Sequence, residues 1–266
     1  MTLVVGVLNA TPDSFSDGGA LRSVDDAVAH GVAMATSGAA IIDVGGESTR
    51  PGASRVSAEQ EAQRVLPVVS GLAQRGIHVS VDTMRAGVAR AAVEAGALTV
   101  NDVSGGLADE AMLPTVAELG VDYVVMHWRG HSRTMQAEAV YGDVVAEVTA
   151  ELLARRDAAL EAGVDGSRII LDPGIGFSKL GEHNWALLRN LTSFTGLGHR
   201  LLVGASRKGF LGDALGGRLP AGRDTATAVI SSWCAQHGVW GVRTHDVSMQ
   251  LDAIRVGLLL QEPHRC

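Results

Sequence analysis

The chain has 266 residues, which suits a single α/β barrel of about 250 residues, and it contains no linker that would divide it. Apolar residues are 46% and aromatic ones only 4%, so aliphatic strands and Ala-rich helices must fill a large core, and disorder is excluded. A formal net charge of -7 argues against nucleic-acid binding, which needs a basic face; an anionic ligand requires cations gathered locally.

The basic residues are nearly all arginine, and the only lysines are Lys179 and Lys208. Two cysteines, Cys234 in a helical run and Cys266, form neither a disulfide framework nor a metal cluster. MTLVVGVLNATPDS has no basic n-region or cleavage site, and no apolar run reaches ~18 residues. A soluble, cytoplasmic protein with no membrane partner is expected.

In chain order, the apolar run Leu3 to Leu8 stops at Asn9 and opens onto a polar loop, TPDSFSDGG. Val24 to Ser37 follows as an amphipathic helix closed by Gly38, then a strand, Ala40 to Val44, ending in GGESTRPG. Ser57 and Gln60 are spaced as a capping box for a helix to about Gln74. Ile77 to Thr83 is apolar enough for a strand buried on both faces. A helix Arg85 to Ala95, a strand Leu98 to Val103, a helix Glu110 to Leu119 and a strand Asp122 to His127 continue the alternation. Trp128 to Tyr141 is a long connection of the kind that covers sites. Gly142 to Ala162 is the longest helix, Arg168 to Leu171 a strand ending in DPGIGF, and His183 to Leu191 a helix. Arg200 to Ala205 meets SRKGF; after a helix-rich stretch to His237 the eighth strand, Val239 to Thr244, ends at His245, and Asp246 starts the last helix. Eight strands alternating with helices, without hairpin signals, imply parallel pairing and a closed (β/α)8 barrel as one domain over 1–266, with an open doubly wound sheet as the alternative.

A barrel brings the C-terminal ends of its strands to one rim. Those ends offer Asn9, Asp43 with Glu47 to Arg50, Asp82, Asn101 with Asp102, His127, Asp172, Ser206 to Lys208, and Arg243 with His245. Any one alone reads as a cap or turn; all eight together read as a site. Asp82, Asn101, Asp172 and Lys208 suit the edge of a flat, nitrogen-rich heterocycle, the oxygens accepting from ring N–H groups and the ammonium donating. Arg243, His245, Asn9 and Arg50 suit a phosphorylated group, with the Asn9 amide oxygen as a ligand to Mg2+. The competing reading for Arg243 and His245 is a salt bridge to Asp246 or Glu47, and for Asp172 a loop structure before Pro173. His127 in its Met-His-Trp context reads as a packed, hydrogen-bonded residue. No Ser-His-Asp arrangement, zinc cluster or P-loop spacing is present.

LNATPDSFSDGG, DVGGESTRPG, SVDTMR, NDVSGG, TMQ with YGDVV, LDPGIGF, GASRKGF and RTHDV, in this order, closely resemble the dihydropteroate synthases of bacterial folate biosynthesis. The actinobacterial members look nearest through MHWR and DTATAVIS, and the resemblance runs from Leu3 to about Arg255. It implies a (β/α)8 barrel, usually a homodimer through C-terminal helices. Such an enzyme joins 6-hydroxymethyl-7,8-dihydropterin pyrophosphate to 4-aminobenzoate, giving 7,8-dihydropteroate and pyrophosphate. By motif position, Asp82, Asn101, Asp172 and Lys208 would bind the pterin, with Val103 and Met126 against its faces. Arg243, His245 and Asn9 would hold the pyrophosphate, Asn9 also binding Mg2+ with Asp17. Thr49, Arg50, Pro51, Phe177 and the turn from Ser206 to Gly209 would form the aminobenzoate pocket, which sulfonamides also enter, and Gly204 would be a further substrate-binding residue. The resemblance further implies dissociative C–O cleavage in which Asp82 and Asp172 stabilise a pterin cation.

Two positions depart from the family pattern. Gly209 stands where many members carry a hydroxyl residue, leaving the aminobenzoate carboxylate to backbone N–H groups with help from Ser206. Ala10 replaces a frequent valine, a quiet packing change. Leu258 to Leu260 suggest either a dimer contact or a packed terminal helix. Rival readings are a pterin-binding methyltransferase module and a catalytically silent paralogue.

Overall fold

The computed structural model describes residues 2–10, 23–48, 55–131 and 134–261. Its strands are β1 (Leu3–Asn9), β2 (Ile41–Gly45), β3 (Val79–Asp82), β4 (Thr99–Asp102), β5 (Asp122–Met126), β6 (Ile169–Asp172), β7 (Arg200–Val203) and β8 (Gly241–Thr244). They pair in sequence order, all parallel, and β8 closes on β1. That closure excludes the open doubly wound sheet.

The described helices are α1 (Val24–Thr36), α2 (Ala58–Ala73), α3 (Ala86–Glu94), α4 (Met112–Leu119), α5 (Val144–Glu161), α6 (Gly181–Arg189), α7 (Leu191–Thr195), α8 (Gly209–Ala214), α9 (Asp224–Gln236) and α10 (Val247–Leu259). Their starts follow side-chain capping. Ser57 and Gln60 form the expected capping box on α2, Asp143 accepts from Val145 and Ala146 N–H at α5, and Asp246 accepts from Met249 N–H at α10. The helix expected over His183 to Leu191 begins at Gly181 and ends at Arg189. Asn190 then caps a separate short turn of helix, α7. The helix expected from Glu110 starts at Met112, because Asp109 turns the chain first by accepting from Ala111 N–H.

Side-chain parity decides what enters the barrel. Val5, Ile41, Val124, Ile170 and Leu202 fill its floor above Trp240. The layer above is polar on one side, with Asp43, Ser80, Thr99 and Asn101 beside these apolar residues around a cavity of only about 10 Å3. The interior is therefore packed core, with room for at most one water. The outer layer, between sheet and helices, is aliphatic and includes Val4, Leu8, Ile42, Val100, Val125 and Leu171.

Parity also separates two neighbours. Asn101 faces inward, whereas Asp102 faces the helices at 0% exposure. Asp102 accepts from Ser104 N–H (2.8 Å) and Oγ (2.7 Å), Gly106 N–H (2.7 Å) and Tyr123 Oη (2.9 Å). Burial pushes its carboxyl upward and these four bonds pull it back. Its work is to fold the β4 loop that carries Val103. Tyr123→Phe should leave a buried acceptor short of one donor and cost about 1–2 kcal/mol in urea denaturation.

Candidate active site

Strand register sets the first row of the site. Asn9 lies beside Gly45, Gly45 beside Asp82, and Asp82 beside Asn101. Across the barrel Met126 lies beside Asp172. All of these sit at the C-terminal ends of their strands, on one rim.

Arg243 reaches into the mouth from β8. Its Nε donates to Asp43 Oδ2 and its Nη2 to Asp82 Oδ2 at 2.7 Å. Asn101 Nδ2 donates to the same Asp43 oxygen at 2.9 Å, while Asp43 Oδ1 is buried without a protein partner. The alternative partners weighed for Arg243, Asp246 and Glu47, are not the ones found. Glu47 pairs instead with Arg85 (2.8 Å) and Arg55 (3.0 Å).

Asp172 Oδ1 accepts from Gly174 N–H at 2.7 Å. Burial pushes its carboxyl up to about 6, against the Gly174 bond and the Lys208 charge. Burial and the Arg243 charge bring the Lys208 ammonium down to about 8, against the pull of Asp172 and Asp82. Burial likewise raises Asp82 against the pull of Arg243, and Asp43 adds to the rise. The Lys208 Nζ stands 3.8 Å from the centre of the Phe177 ring, a cation–π contact. Phe177 packs with Val103, Met126, Met84 and Ala108 in one apolar cluster.

On the β7–β8 side, Ser206 Oγ lies 2.9 Å from His245 Nδ1 and accepts the His245 backbone N–H at 3.2 Å. Thr244 Oγ1 lies 3.3 Å from the same oxygen, so one hydroxyl ties together two neighbouring residues at the end of β8. Ser206 thus holds the His245 ring. Gly204 lies beside the root of Arg243, a Cβ there meeting Arg243 Cβ at 3.8 Å. At Gly209 a Cβ would meet nothing within 4 Å, so packing does not impose the departure from a hydroxyl residue. Asp17, Thr49, Arg50 and Pro51 lie outside the described residues.

Asn9 supplies one hard amide oxygen at the end of β1. Among the described residues no group of three or more His, Cys, Asp or Glu is arranged to hold a metal ion. A single hard donor fits Mg2+, which keeps waters and binds mainly through substrate phosphates.

Residues 5–245 match the model of a family described as pterin binding enzyme. A dihydropteroate synthase of Mycobacterium leprae is 58% identical over 259 residues, 95% of this chain and 91% of that protein. The chain belongs to the dihydropteroate synthase family. The Escherichia coli dihydropteroate synthase is 43% identical over 254 residues, covering 95% of this chain and 89% of that one. Among solved structures, Xanthomonas albilineans dihydropteroate synthase with 4-aminobenzoic acid superposes with a TM-score of 0.92 at 42% identity, over 99% of this chain and 94% of that one. Members of the family are transferases, and so is this enzyme.

Within the dihydropteroate synthase frame, the rim brings together Asp82, Asn101, Asp172, Lys208, Arg243 and His245. The sequence reading noted Asp43 at its strand end but left it out of the site. It shares inward parity with Ile41, just as Asp172 does with Ile170, and that parity was the signal available. Met84 was also missed, its SVDTMR context giving no sign that it faces Val103. Asp43→Ala should remove the acceptor of both Arg243 and Asn101 and destabilise the fold by about 2–3 kcal/mol, read by chemical denaturation.

Proposed function

We propose that this enzyme condenses 6-hydroxymethyl-7,8-dihydropterin pyrophosphate with 4-aminobenzoate to give 7,8-dihydropteroate and pyrophosphate. The observation that carries this reading is the convergence of Asp82, Asn101, Asp172 and Lys208 beside the apolar wall of Val103, Met126 and Phe177. It offers a planar heterocycle hydrogen-bonding edges and faces at once. The Xanthomonas albilineans relatives with 4-aminobenzoic acid and with 7,8-dihydropteroate support the same substrates.

In the proposed reaction Asp172 and Asp82 accept from the ring and amino N–H groups of the pterin, and Lys208 donates to a ring acceptor. The aromatic amine is a neutral nucleophile and needs no strong base. Dissociative C–O cleavage puts positive charge on the pterin, where Asp82 and Asp172 stabilise it. Arg243 and His245 meet the departing anion, the preorganised electrostatics that often dominate catalysis. Arg243 is already engaged by Asp43 and Asp82, so it is held in place before substrate arrives. Asn9, with Asp17, would hold Mg2+, which when bound supplies further countercharge for the pyrophosphate. Thr49, Arg50, Pro51, Phe177 and the turn from Ser206 to Gly209 would receive 4-aminobenzoate and its sulfonamide mimics. A Yersinia pestis relative was solved as a sulfonamide drug complex.

Homodimerisation through the C-terminal helices is supported by the apolar residues that α9 and α10 leave exposed: Val229, Trp233, Met249, Val256 and Leu259, with Leu260 beyond. Among the described residues no helix is long and apolar enough to cross a membrane, and a cytoplasmic location is part of the proposal. A methyl-transferring pterin module would have no use for STRPG or SRKGF.

A coupled assay should detect pyrophosphate release only when 4-aminobenzoate is present; methyl transfer, or pterin binding without turnover, would defeat the reading. Asp82→Asn should lower kcat much more than it weakens pterin binding, and equal losses would remove its role in cation stabilisation. Asp172 is ionised above about 6 and Lys208 protonated below about 8. Calorimetric pterin affinity should therefore fall on the acid side as pH drops through the first value, and on the alkaline side as it rises through the second.

A further inference from the structure

Lys208 has a part in the proposed reaction, but the chain's other lysine, Lys179, has none. It is 3% exposed, and burying an ammonium costs several kcal/mol unless neighbours compensate. Its Nζ donates to His127 Nδ1 at 2.9 Å and to the Phe177 carbonyl at 3.0 Å. It also lies against Gly174, where a Cβ would stand 3.3 Å from Nζ and 2.5 Å from the His127 carbonyl oxygen. Gly174 is the residue whose N–H serves Asp172. Lys179 therefore touches the two points, Gly174 and Phe177, through which the loop between β6 and α6 meets the pterin site.

The far side of this contact is also built. Because Lys179 donates to Nδ1, the His127 ring proton sits on Nε2 and faces Glu151 Oε2 at 3.0 Å. Glu151 in turn accepts from Arg129 Nε at 3.0 Å, and Arg129 lies over the Tyr141 ring, whose hydroxyl donates to the Ser178 carbonyl at 2.9 Å. The backbone is strained to make this possible. Among the described residues only Ser178 (φ 48°) and Arg207 (φ 59°) are non-glycines at positive φ. Each immediately precedes a lysine, Lys179 and Lys208 respectively. Such strain persists where the surroundings over-determine it and marks functional geometry.

We propose that Lys179 is a positioning residue for pterin recognition: its buried ammonium, oriented by His127 and Glu151, keeps the Gly174 to Phe177 turn in its binding shape, and with it the Gly174 N–H that serves Asp172. This rests on the reading of Asp172 as a pterin ligand. The charges bear it out in sign. Asp172 faces Lys208, Arg243 and Lys179. Lys179 faces Asp172, Arg129, Glu151 and Lys208, and burial brings it down to about 7. It still carries its proton where Asp172 titrates. His127, held down to about 4 by burial and by Lys179, stays neutral throughout.

The test is calorimetric titration of the intact enzyme with 6-hydroxymethylpterin from pH 5 to 9. Losing the Lys179 cation and loosening the Gly174 bond both raise the Asp172 carboxyl, so Lys179→Met should move the acid limb up by about one pH unit and weaken binding about two-fold at pH 7 and nearly ten-fold at pH 5. Lys179→Arg should bring the acid limb back. A folded Lys179→Met with a lower Tm but an unmoved acid limb overturns the proposal. Should that variant fail to fold, Glu151→Gln, altered at a side chain that is 41% exposed, takes its place. Losing that anion should release the Lys179 proton earlier and so move the acid limb up, in the direction of the Lys179→Met shift; an unmoved limb overturns the proposal. Asp172→Asn separates the two readings, since unchanged pterin affinity there removes Asp172 from the site whatever Lys179 does.

Discussion

A guanidinium held between two buried carboxylates governs the mouth of this barrel. Arg243 donates to Asp43 and Asp82, and burying a carboxylate at such depth is costly without a paired cation. In a chain with a net charge of -7, the mouth is nonetheless balanced. Asp43, Asp82 and Asp172 face Arg243, Lys208 and Lys179. Alternating signs at short range lower the cost of burying each charge and leave strong local fields without a strong net potential. That pattern suits a ligand with donors and acceptors along one edge and an anionic tail, because the ring meets single groups while the tail meets cations already in place.

The barrel was legible because its grammar repeats. Each apolar run stopped at a polar residue, and the only topology that lets all eight stops share a ligand is closure, which β1–β8 pairing supplies. The individual polar stops were less legible, for a geometric reason. Asn101 and Asp102 are adjacent and equally polar, yet one faces the barrel axis and the other the helices, since consecutive strand residues point to opposite faces. Composition cannot separate them, but register can. In LTVNDV the inward set is Thr99 and Asn101, the outward set Val100 and Asp102. The same parity would have admitted Asp43, which follows Ile41 by two.

Side chains that act through another residue were beyond the sequence. Ser206 was legible as part of the SRKGF turn but not as the partner of the His245 ring, because that contact joins the ends of β7 and β8 across 39 positions. His127 reads from its surroundings as a packed residue, and it is 1% exposed. What it packs against, a buried ammonium on one nitrogen and a carboxylate on the other, needs the fold. The rarity of lysine was the sequence's own hint at both Lys179 and Lys208, since a chain that uses arginine almost everywhere keeps the thinner, deprotonatable cation for one buried and one half-buried place.

The turn before Lys208 shows how the scaffold sustains such placements. Arg207 sits at φ 59°, a conformation that needs outside support in a residue with a side chain. Its guanidinium makes a two-point bond to Asp224, both contacts at 2.7 Å. Its carbonyl accepts from Arg223 at 2.9 Å, and its N–H reaches Thr227 Oγ1 at 3.2 Å. All three partners lie at the start of α9 or just before it. The helix that holds Arg207 strained is thus one of the two whose outer face is left apolar at Val229 and Trp233. Helix α9 and the residue before it supply the partners that support the turn before Lys208, while the same helix leaves Val229 and Trp233 exposed.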